Sequence, residues 1–298
     1  MKKSSKNSKT DYLELLKISF IQLRKNLGLV VPTFIALMSA FVFILLVIMQ
    51  AGGFYFLFKG MILSEEAWLL LRNPYSLTYI CIMGLIDIIL LFTVSSYVKS
   101  MQSSLFRDVS HNISIEDANF FKKGREYFKR YFKLNMLLTA ITIVPIAIAV
   151  GLYFLIFRVI AAPSFTSSWY FGAVIFSIIA IAVLAYLIWL GYCLLFIDPI
   201  VVSTKLDAIK TLKHALKYSL VNRKKVIMTW LFLIIVMIIM ITFSSIFFDM
   251  PTDYLEKNKI LVFSLISFVL QGLKTLVEVI VGIVLELFRF NSFFNKKN

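Results

Sequence analysis

The sequence has few of the residues from which most catalytic and metal sites are built. It contains two cysteines and two histidines in 298 residues. Cys81 and Cys193 both fall in long apolar stretches, so we interpret them as small apolar side chains rather than as a disulfide or a metal site. His111 and His214 lie in two separate polar segments. An intramembrane hydrolase needs a serine–histidine pair, paired aspartates or a histidine–carboxylate cluster, and the pattern offers none of these.

Nucleotide-binding and metal-binding motifs are also missing. The sequence has no G-x-G-x-x-G, no Walker A motif, no C-x-x-C, no H-E-x-x-H and no G-x-S-x-G. Each of these motifs places a phosphate cradle, a metal ligand pair or a nucleophile at a set point of the fold. We therefore predict a protein with no enzymatic activity, no catalytic residues, no metal and no cofactor.

Acidic residues are scarce relative to basic ones, with 16 Asp and Glu against 31 Lys and Arg and a net charge of +15. In a soluble protein this excess would point to nucleic acid. Here 60% of the residues are hydrophobic and the mean hydropathy is +0.88, more apolar surface than a soluble chain of this length can bury. The positive-inside rule explains the basic excess, so we expect no nucleic-acid partner.

Six long apolar runs are present, each of the length that crosses a bilayer. They predict an all-α integral membrane protein with a single membrane domain over residues 1–298 and a disordered basic tail at 1–10. The predicted crossings are residues 27–50, 77–98, 134–157, 169–197, 226–248 and 260–287.

The basic residues are divided unevenly between the two sides of these crossings. Both termini and the segments 99–133 and 198–225 fall on one side and carry 25 of the 31 Lys and Arg residues. Cytoplasmic segments carry this excess. We expect a multi-pass protein of the cell membrane with both termini in the cytoplasm.

A basic amphipathic helix is predicted before the fifth crossing, at residues 207–225. Ile209, Leu212, Leu216 and Leu220 recur at helical spacing, and Lys210, Lys213 and Lys217 fall on the neighbouring face. Such a helix can lie in the headgroup plane with its lysines on anionic lipid. The other interpretation is a cytoplasmic helix that packs on the membrane domain with a solvated basic face.

Similar segments precede the first and third crossings. Residues 11–26 align with residues 207–222, with Asp11, Lys17 and Asn26 matched by identical residues. In the middle segment, the further candidates for headgroup contact are Arg125, Lys129 and Lys133. The pattern predicts three helical hairpins, each introduced by an amphipathic helix, although any basic helix beside a membrane would look similar.

Four polar positions stand out in or beside the predicted crossings. Asp87, Lys274 and Glu278 lie within helices two and six, where a charge costs about 2.5–3.5 kcal/mol and needs a partner or water. We expect either a structural pair, Asp87 with Lys274 or Lys274 with Glu278, or a polar transport path. Asp198 precedes Pro199 at the end of helix four, and we interpret the two as a structural corner at which Asp198 caps the next element.

A resemblance to a known family rests on residues 196–202, FIDPIVV, with Ala208, Ala215, Ser219 and the basic segment that follows. This region resembles the six-helix membrane domain fused to some bacterial glycerophosphodiester phosphodiesterases, and related bacterial and archaeal multi-pass membrane proteins. The catalytic barrel of those enzymes has no counterpart here. The resemblance therefore implies a membrane module without assigned chemistry.

These observations favour a non-enzymatic scaffold or accessory module of the membrane. Its basic amphipathic helices would engage anionic lipid headgroups, with a second copy of the chain or another protein as the further partner. The alternative is a transporter or permease subunit for a small molecule or lipid, which would use the polar residues of helices two and six.

Overall fold

The protein is an all-α multi-pass membrane protein, and the computed structural model describes residues 11–62, 73–115, 118–160, 168–249 and 263–295. The predicted tail at 1–10 lies outside these residues. Six of the helices are long and apolar enough to cross a membrane. The helices are α1 (Tyr12–Lys25), α2 (Val31–Ile62), α3 (Pro74–Ser110), α4 (Phe120–Glu126), α5 (Phe128–Ile160), α6 (Ser168–Cys193), α7 (Ile197–Ser203), α8 (Ala208–Val221), α9 (Arg223–Ser244) and α10 (Phe263–Phe294).

The crossings pair as three hairpins, α2 with α3, α5 with α6, and α9 with α10. The first hairpin is longer than predicted, because α2 continues through Gly52 and Gly53 beyond the expected end at residue 50. The residues that follow the glycines are mostly apolar, and a continuing helix pairs the backbone groups that would be costly to leave unpaired in lipid. Gly53 also brings the helices close, since a Cβ there would lie 3.0 Å from the Tyr79 hydroxyl of α3.

The helices α1 and α8 are equivalent elements of an internal repeat. Each has 14 residues, follows an aspartate N-cap and ends at an asparagine. Their buried positions also correspond: Leu15, Ser19 and Leu23 of α1 align with Thr211, Ala215 and Ser219 of α8. The second hairpin differs, because its basic segment forms the first turns of α5 itself and only the short α4 precedes it.

Each introducing helix packs on the hairpin before it in a cyclic order. Helix α4 contacts α3 of the first hairpin, and α8 contacts α5, α6 and α7 of the second. Helix α1 contacts α10 of the third hairpin, so the first and last of the described helices close a ring of contacts.

The buried core lies at one end of this ring, which we call the packed end. It includes Met101, Leu105, Tyr131, Phe196, Leu287 and Phe290, all at most 1% exposed. Away from the packed end the apolar side chains of the crossings are exposed, among them Phe41, Ile89, Ile143 and Ile239. Lipid is as apolar as these side chains, so helices in a bilayer have no hydrophobic reason to bury them against one another.

The contact between α1 and α10 that closes the ring is polar. The Asn291 amide donates hydrogen bonds to Ser19 Oγ (2.9 Å) and Gln22 Oε1 (2.8 Å), and Asn291 and Ser19 are both buried. The Gln22 amide donates in turn to the Val109 carbonyl at 3.1 Å, which ties α1 to the end of α3.

We expect Asn291→Ala to destabilise the protein by about 1–3 kcal/mol, because it leaves buried polar partners unsatisfied. The measurement is the thermal midpoint in detergent. Arg24→Ala on the exposed side of α1 is the control and should change stability by at most about 0.5 kcal/mol. Equal midpoints for the two variants would contradict a role for Asn291 in ring closure.

Candidate functional site

The site begins with a break in the fourth crossing. Helix α6 ends at Cys193, three residues turn the chain, and α7 begins at Ile197. Pro199 lies in the first turn of α7, where its missing N–H is not needed. The predicted corner is therefore present, but Asp198 does not cap α7: the N-cap is Phe196 and makes no side-chain bond. The carboxylate of Asp198 points into the core instead, and the residue is 2% exposed.

Asp198 is held by cations from the other two hairpins. Arg289 Nη2 of α10 lies 2.5 Å from Asp198 Oδ2, and Lys99 Nζ of α3 lies 3.4 Å from the same oxygen. Arg289 Nη2 also contacts the Glu286 carboxylate one turn earlier on α10. We call Lys99, Asp198, Glu286 and Arg289 the central charge cluster. It joins all three hairpins.

The four members differ in how far they are removed from solvent. The side chains of Asp198 and Arg289 are 2% and 16% exposed, whereas those of Lys99 and Glu286 are 42% and 44% exposed. Two carboxylates and two cations give the cluster no net charge. Because attraction between charges strengthens as the dielectric falls, the Asp198–Arg289 contact is the strongest link and its separation would be the most costly.

A second group of charges fastens α4 to α3. Lys123 Nζ lies 2.5 Å from Asp108 Oδ2, and Arg107 Nη2 lies 2.8 Å from Asp108 Oδ1. Glu126 Oε1 accepts a hydrogen bond from Arg107 at 3.0 Å, and its other oxygen accepts one from Ser104 Oγ at 2.8 Å. The introducing helix of the second hairpin is therefore attached through ion pairs.

The titration of Glu126 reflects this environment. Burial by itself raises the pKa of Glu126, but hydrogen bonds from Tyr127 and Ser104 and the nearby Arg107 outweigh burial and hold the pKa below its ordinary value of 4.5. Ionised Glu126 therefore contributes its full share to the free energy of unfolding above pH 4.5. That contribution is lost as the pH falls through the folded-state pKa of Glu126. Burial, with the hydrogen bond to Glu126, raises the pKa of Tyr127 to about 12, so its phenol stays protonated at neutral pH.

Of the two predicted intramembrane pairs, Asp87 with Lys274 is wrong, and Lys274 forms its ion pair with Asp249 rather than with Glu278. Asp87 Oδ1 accepts a hydrogen bond from Gln50 Nε2 of α2 at 2.9 Å. Lys274 Nζ lies 2.7 Å from Asp249 Oδ1, just after α9, and Glu278 Oε1 accepts a hydrogen bond from Ser244 Oγ of α9 at 3.1 Å. Each residue takes its partner from the neighbouring helix of its own hairpin, which sequence spacing could not reveal.

The predicted headgroup residues lie on exposed surfaces of the introducing segments. Lys210, Lys213 and Lys217 are exposed on α8, as are Arg125 on α4 and Lys129 on α5. Lys133 is exposed too, and its Nζ lies 3.6 Å from Asp207 Oδ1 at the start of α8. All six candidates are open to solvent or headgroups.

The apolar stripe predicted for α8 packs on the protein only in part, since Leu212 lies against the buried core. The fully buried positions of α8 are small residues, namely Ala208, Thr211, Ala215 and Ser219. Ser219 Oγ donates a hydrogen bond to the Cys193 carbonyl of α6 at 2.8 Å. Ile209 and Leu220 of the predicted stripe are 55% and 56% exposed.

Three residues of the central charge cluster were not predicted as a site. In the sequence, Lys99 and Arg289 are counted only among the basic residues that set the orientation, and Glu286 is one of the acidic residues in the last predicted crossing. These three residues lie near the ends of predicted crossings. Nothing in the sequence indicates that they contact residues of another hairpin. Among the described residues, no three His, Cys, Asp or Glu side chains are grouped so that they could hold a metal ion.

Comparison of the chain with models of protein families, with curated proteins and with solved structures finds no match.

Breaking the Asp198–Arg289 contact should be strongly destabilising. We expect Asp198→Asn and Arg289→Met to cost about 3–5 kcal/mol each, because each leaves a buried charge without its partner. The double variant should cost less than the sum, and a double-mutant cycle in detergent melts measures the coupling.

The exposed pair Lys133–Asp207 provides the control for this cycle. Its side chains are 65% and 59% exposed, and the coupling between Lys133→Gln and Asp207→Asn should be about 1 kcal/mol or less. Additive costs for Asp198 and Arg289 would show that the central contact does not stabilise the fold.

Proposed function

We propose that the protein is a non-enzymatic scaffold or accessory module of the cell membrane that engages anionic lipid through its basic introducing helices. The observation that carries the proposal is the division of α8 into three faces. Helices that lie on a membrane need an apolar face toward the acyl chains and a cationic face toward the headgroups. In α8 the lysines and the outer part of the apolar face, Ile209 and Leu220, stay exposed after the helix has packed on the bundle, whereas Leu212 also contacts the core.

The three faces follow one another around α8. At about 100° per residue, the buried small residues, the apolar residues and the lysines have centres about 90–100° apart. The buried face is Ala208, Thr211, Ala215 and Ser219, the apolar face Ile209, Leu212, Leu216 and Leu220, and the cationic face Lys210, Lys213 and Lys217. A helix docked sideways on the bundle in this way can direct its leucines into the bilayer and its lysines to the headgroups.

The repeated helix α1 presents a comparable surface. Leu13, Leu16 and Phe20 line an apolar groove of about 410 Å³ between α1, α9 and α10, and Lys17 lies on its wall. Lys17 aligns with Lys213 of α8. An acyl chain suits the apolar groove, and a phosphate headgroup suits the lysine. Two members of the repeat thus support the same kind of lipid contact.

The orientation forms part of the proposal. The basic residues concentrate at the packed end, where α1, α4 and α8 lie. Cytoplasmic leaflets carry anionic lipid, which attracts such segments. We place the packed end and both termini in the cytoplasm, as the positive-inside rule favours.

Replacing Lys210, Lys213 and Lys217 by Gln in the full chain should weaken its preference for phosphatidylglycerol over phosphatidylcholine. Each lysine near the surface contributes about 1 kcal/mol of attraction. Spin-labelled lipids in proteoliposomes measure the relative association constant.

Two matched variants control for charge and position. Lys→Arg at the same three sites should keep the preference, because the charge stays. Lys→Gln at Lys2, Lys3 and Lys6 removes the same charge from the N-terminal tail and should reduce the preference less. An α8 triple Gln variant that matches the unmodified protein would refute headgroup binding by α8.

The orientation is tested by labelling introduced cysteines in intact cells, where the native Cys193 is buried. In a Cys81→Ser background, Tyr75→Cys at the start of α3 should react with an impermeant thiol reagent added outside. Ile113→Cys, after α3, should react only once the cells are permeabilised. Both side chains are well exposed, at 78% and 55%, so access depends on the side of the membrane. Reaction of Ile113→Cys in intact cells would reverse the orientation.

The alternative function, a transporter or permease subunit, is favoured by one observation. The predicted crossing 260–287 of α10 contains Lys274, Glu278 and Glu286, whereas each of the other predicted crossings contains at most one charged residue. Intramembrane polar residues commonly line pathways for solutes and ions.

A further inference from the structure

Six residues of α10, five of them polar, form one continuous face, which Lys274 flanks and Asn291 opposes. At about 100° per residue, they fall within about 80° of one another around the helix. They are Gln271, Thr275, Glu278, Gly282, Glu286 and Arg289. The first four are exposed, so this face stays open along the part of α10 that lies away from the packed end.

An open polar face is costly if it meets lipid. A carboxylate such as that of Glu278 costs about 2.5–3.5 kcal/mol at the bilayer centre, and such groups face protein or water instead. One edge of the face touches α9 through the Glu278–Ser244 and Lys274–Asp249 contacts. The rest of this polar face has no protein neighbour among these contacts, so it must face water rather than lipid.

The last two residues of the polar face, Glu286 and Arg289, show which way this side of α10 points. Glu286 and Arg289 belong to the central charge cluster, where Asp198 and Lys99 arrive from the other two hairpins. The same face of α10 therefore points to the space between the hairpins. From α3, Lys99 also borders a largely apolar cavity of about 330 Å³ that lies within the first hairpin, between α2 and α3, with Ser39, Ser95 and Gln102 as its other polar lining residues.

The space is closed at the packed end. Directly beyond the cluster, Leu287, Phe288 and Phe290 of α10 and Tyr131 of α5 are fully buried. Asp198 Oδ1 and Arg289 Nε are buried beside it and have no hydrogen-bond partner within the described chain, an arrangement that internal water satisfies.

We infer that the three hairpins enclose a water-filled cavity, reached from the side opposite the packed end, whose floor of Lys99 and Glu286 binds a small zwitterion. The inference rests on the transport alternative and is independent of lipid binding by α8. Lys99 and Glu286 are the two half-exposed members of the cluster and carry opposite charges.

The charge balance favours a zwitterion over a simple ion. The cluster as a whole is neutral, so an ion of either sign gains little from it. A molecule with a carboxylate and an ammonium group can pair its carboxylate with Lys99 and its ammonium with Glu286 at once. Charge-assisted hydrogen bonds of this kind are stronger than neutral ones.

Cysteine accessibility tests the cavity. In a Cys81→Ser background of the full chain in proteoliposomes, Thr275→Cys and Gly282→Cys should react with a charged methanethiosulfonate. Leu273→Cys and Leu276→Cys, on the opposite face of the same helix, should react at least about tenfold more slowly, because a thiol in lipid does not ionise. A Cβ at Gly282 meets no atom within 4 Å, so that substitution fits the structure.

Glycine serves as the probe of the floor. We expect glycine to slow the modification of Gly282→Cys, while acetate and methylammonium, which each carry one of its charges, should not. Glu286→Gln and Lys99→Gln should abolish the protection, and Lys99→Arg should restore it. Thermal midpoints of these variants in detergent separate a lost site from a lost fold.

Two outcomes would overturn the inference. Equal reactivity of the Thr275 and Leu276 cysteines would exclude the water-filled cavity and the transport alternative with it, whereas the lipid preference of α8 is decided by its own assay. Fast reaction of both polar-face cysteines without protection by glycine would leave a cavity but exclude the zwitterion site.

Discussion

The arrangement of the three hairpins depends on one carboxylate. Asp198 is almost completely removed from solvent and shares one oxygen between Arg289 of the third hairpin and Lys99 of the first. A buried carboxylate is tolerated only when cations and donors compensate for its lost hydration. Those cations come from the other two hairpins. The three hairpins must therefore meet at this point if the buried charge of Asp198 is to be compensated.

The contrast between the packed end and the outer halves of the crossings has the same physical origin. In a bilayer, association of helices relies on close packing and polar contacts rather than on the hydrophobic effect. The described contacts between hairpins concentrate where ion pairs, small residues and aromatic rings occur, as with Phe106 and Phe290. Along the apolar halves the helices gain little by meeting, and polar residues such as Asp87 find partners within their own hairpin.

The internal repeat connects the two proposals. Helix α8 packs on the second hairpin through small buried residues, and α1 packs on the third through Leu15, Ser19 and Leu23. We propose that the faces these helices leave exposed contact lipid. The same cyclic order brings α3, α7 and α10 together at the centre, where the charges collect. Lipid contact at the rim and a polar site at the centre are therefore compatible uses of one arrangement.

The sequence alone determined the class of the protein, the six crossings and the positions of α1 and α8, because charge-free runs and helical periodicity are local properties. It also marked Asp198 and Pro199 as a turn, since proline constrains its own backbone. Only the tertiary structure decided which charges meet. Arg289 lies 91 residues from Asp198, and Asp87 and Lys274 have partners other than each other, since ion pairs depend on which helices are neighbours. The sequence did not reveal the packing face of α8 for a similar reason: small residues that let helices approach closely fill its buried positions, and Ile209 and Leu220 of the apolar stripe stay exposed.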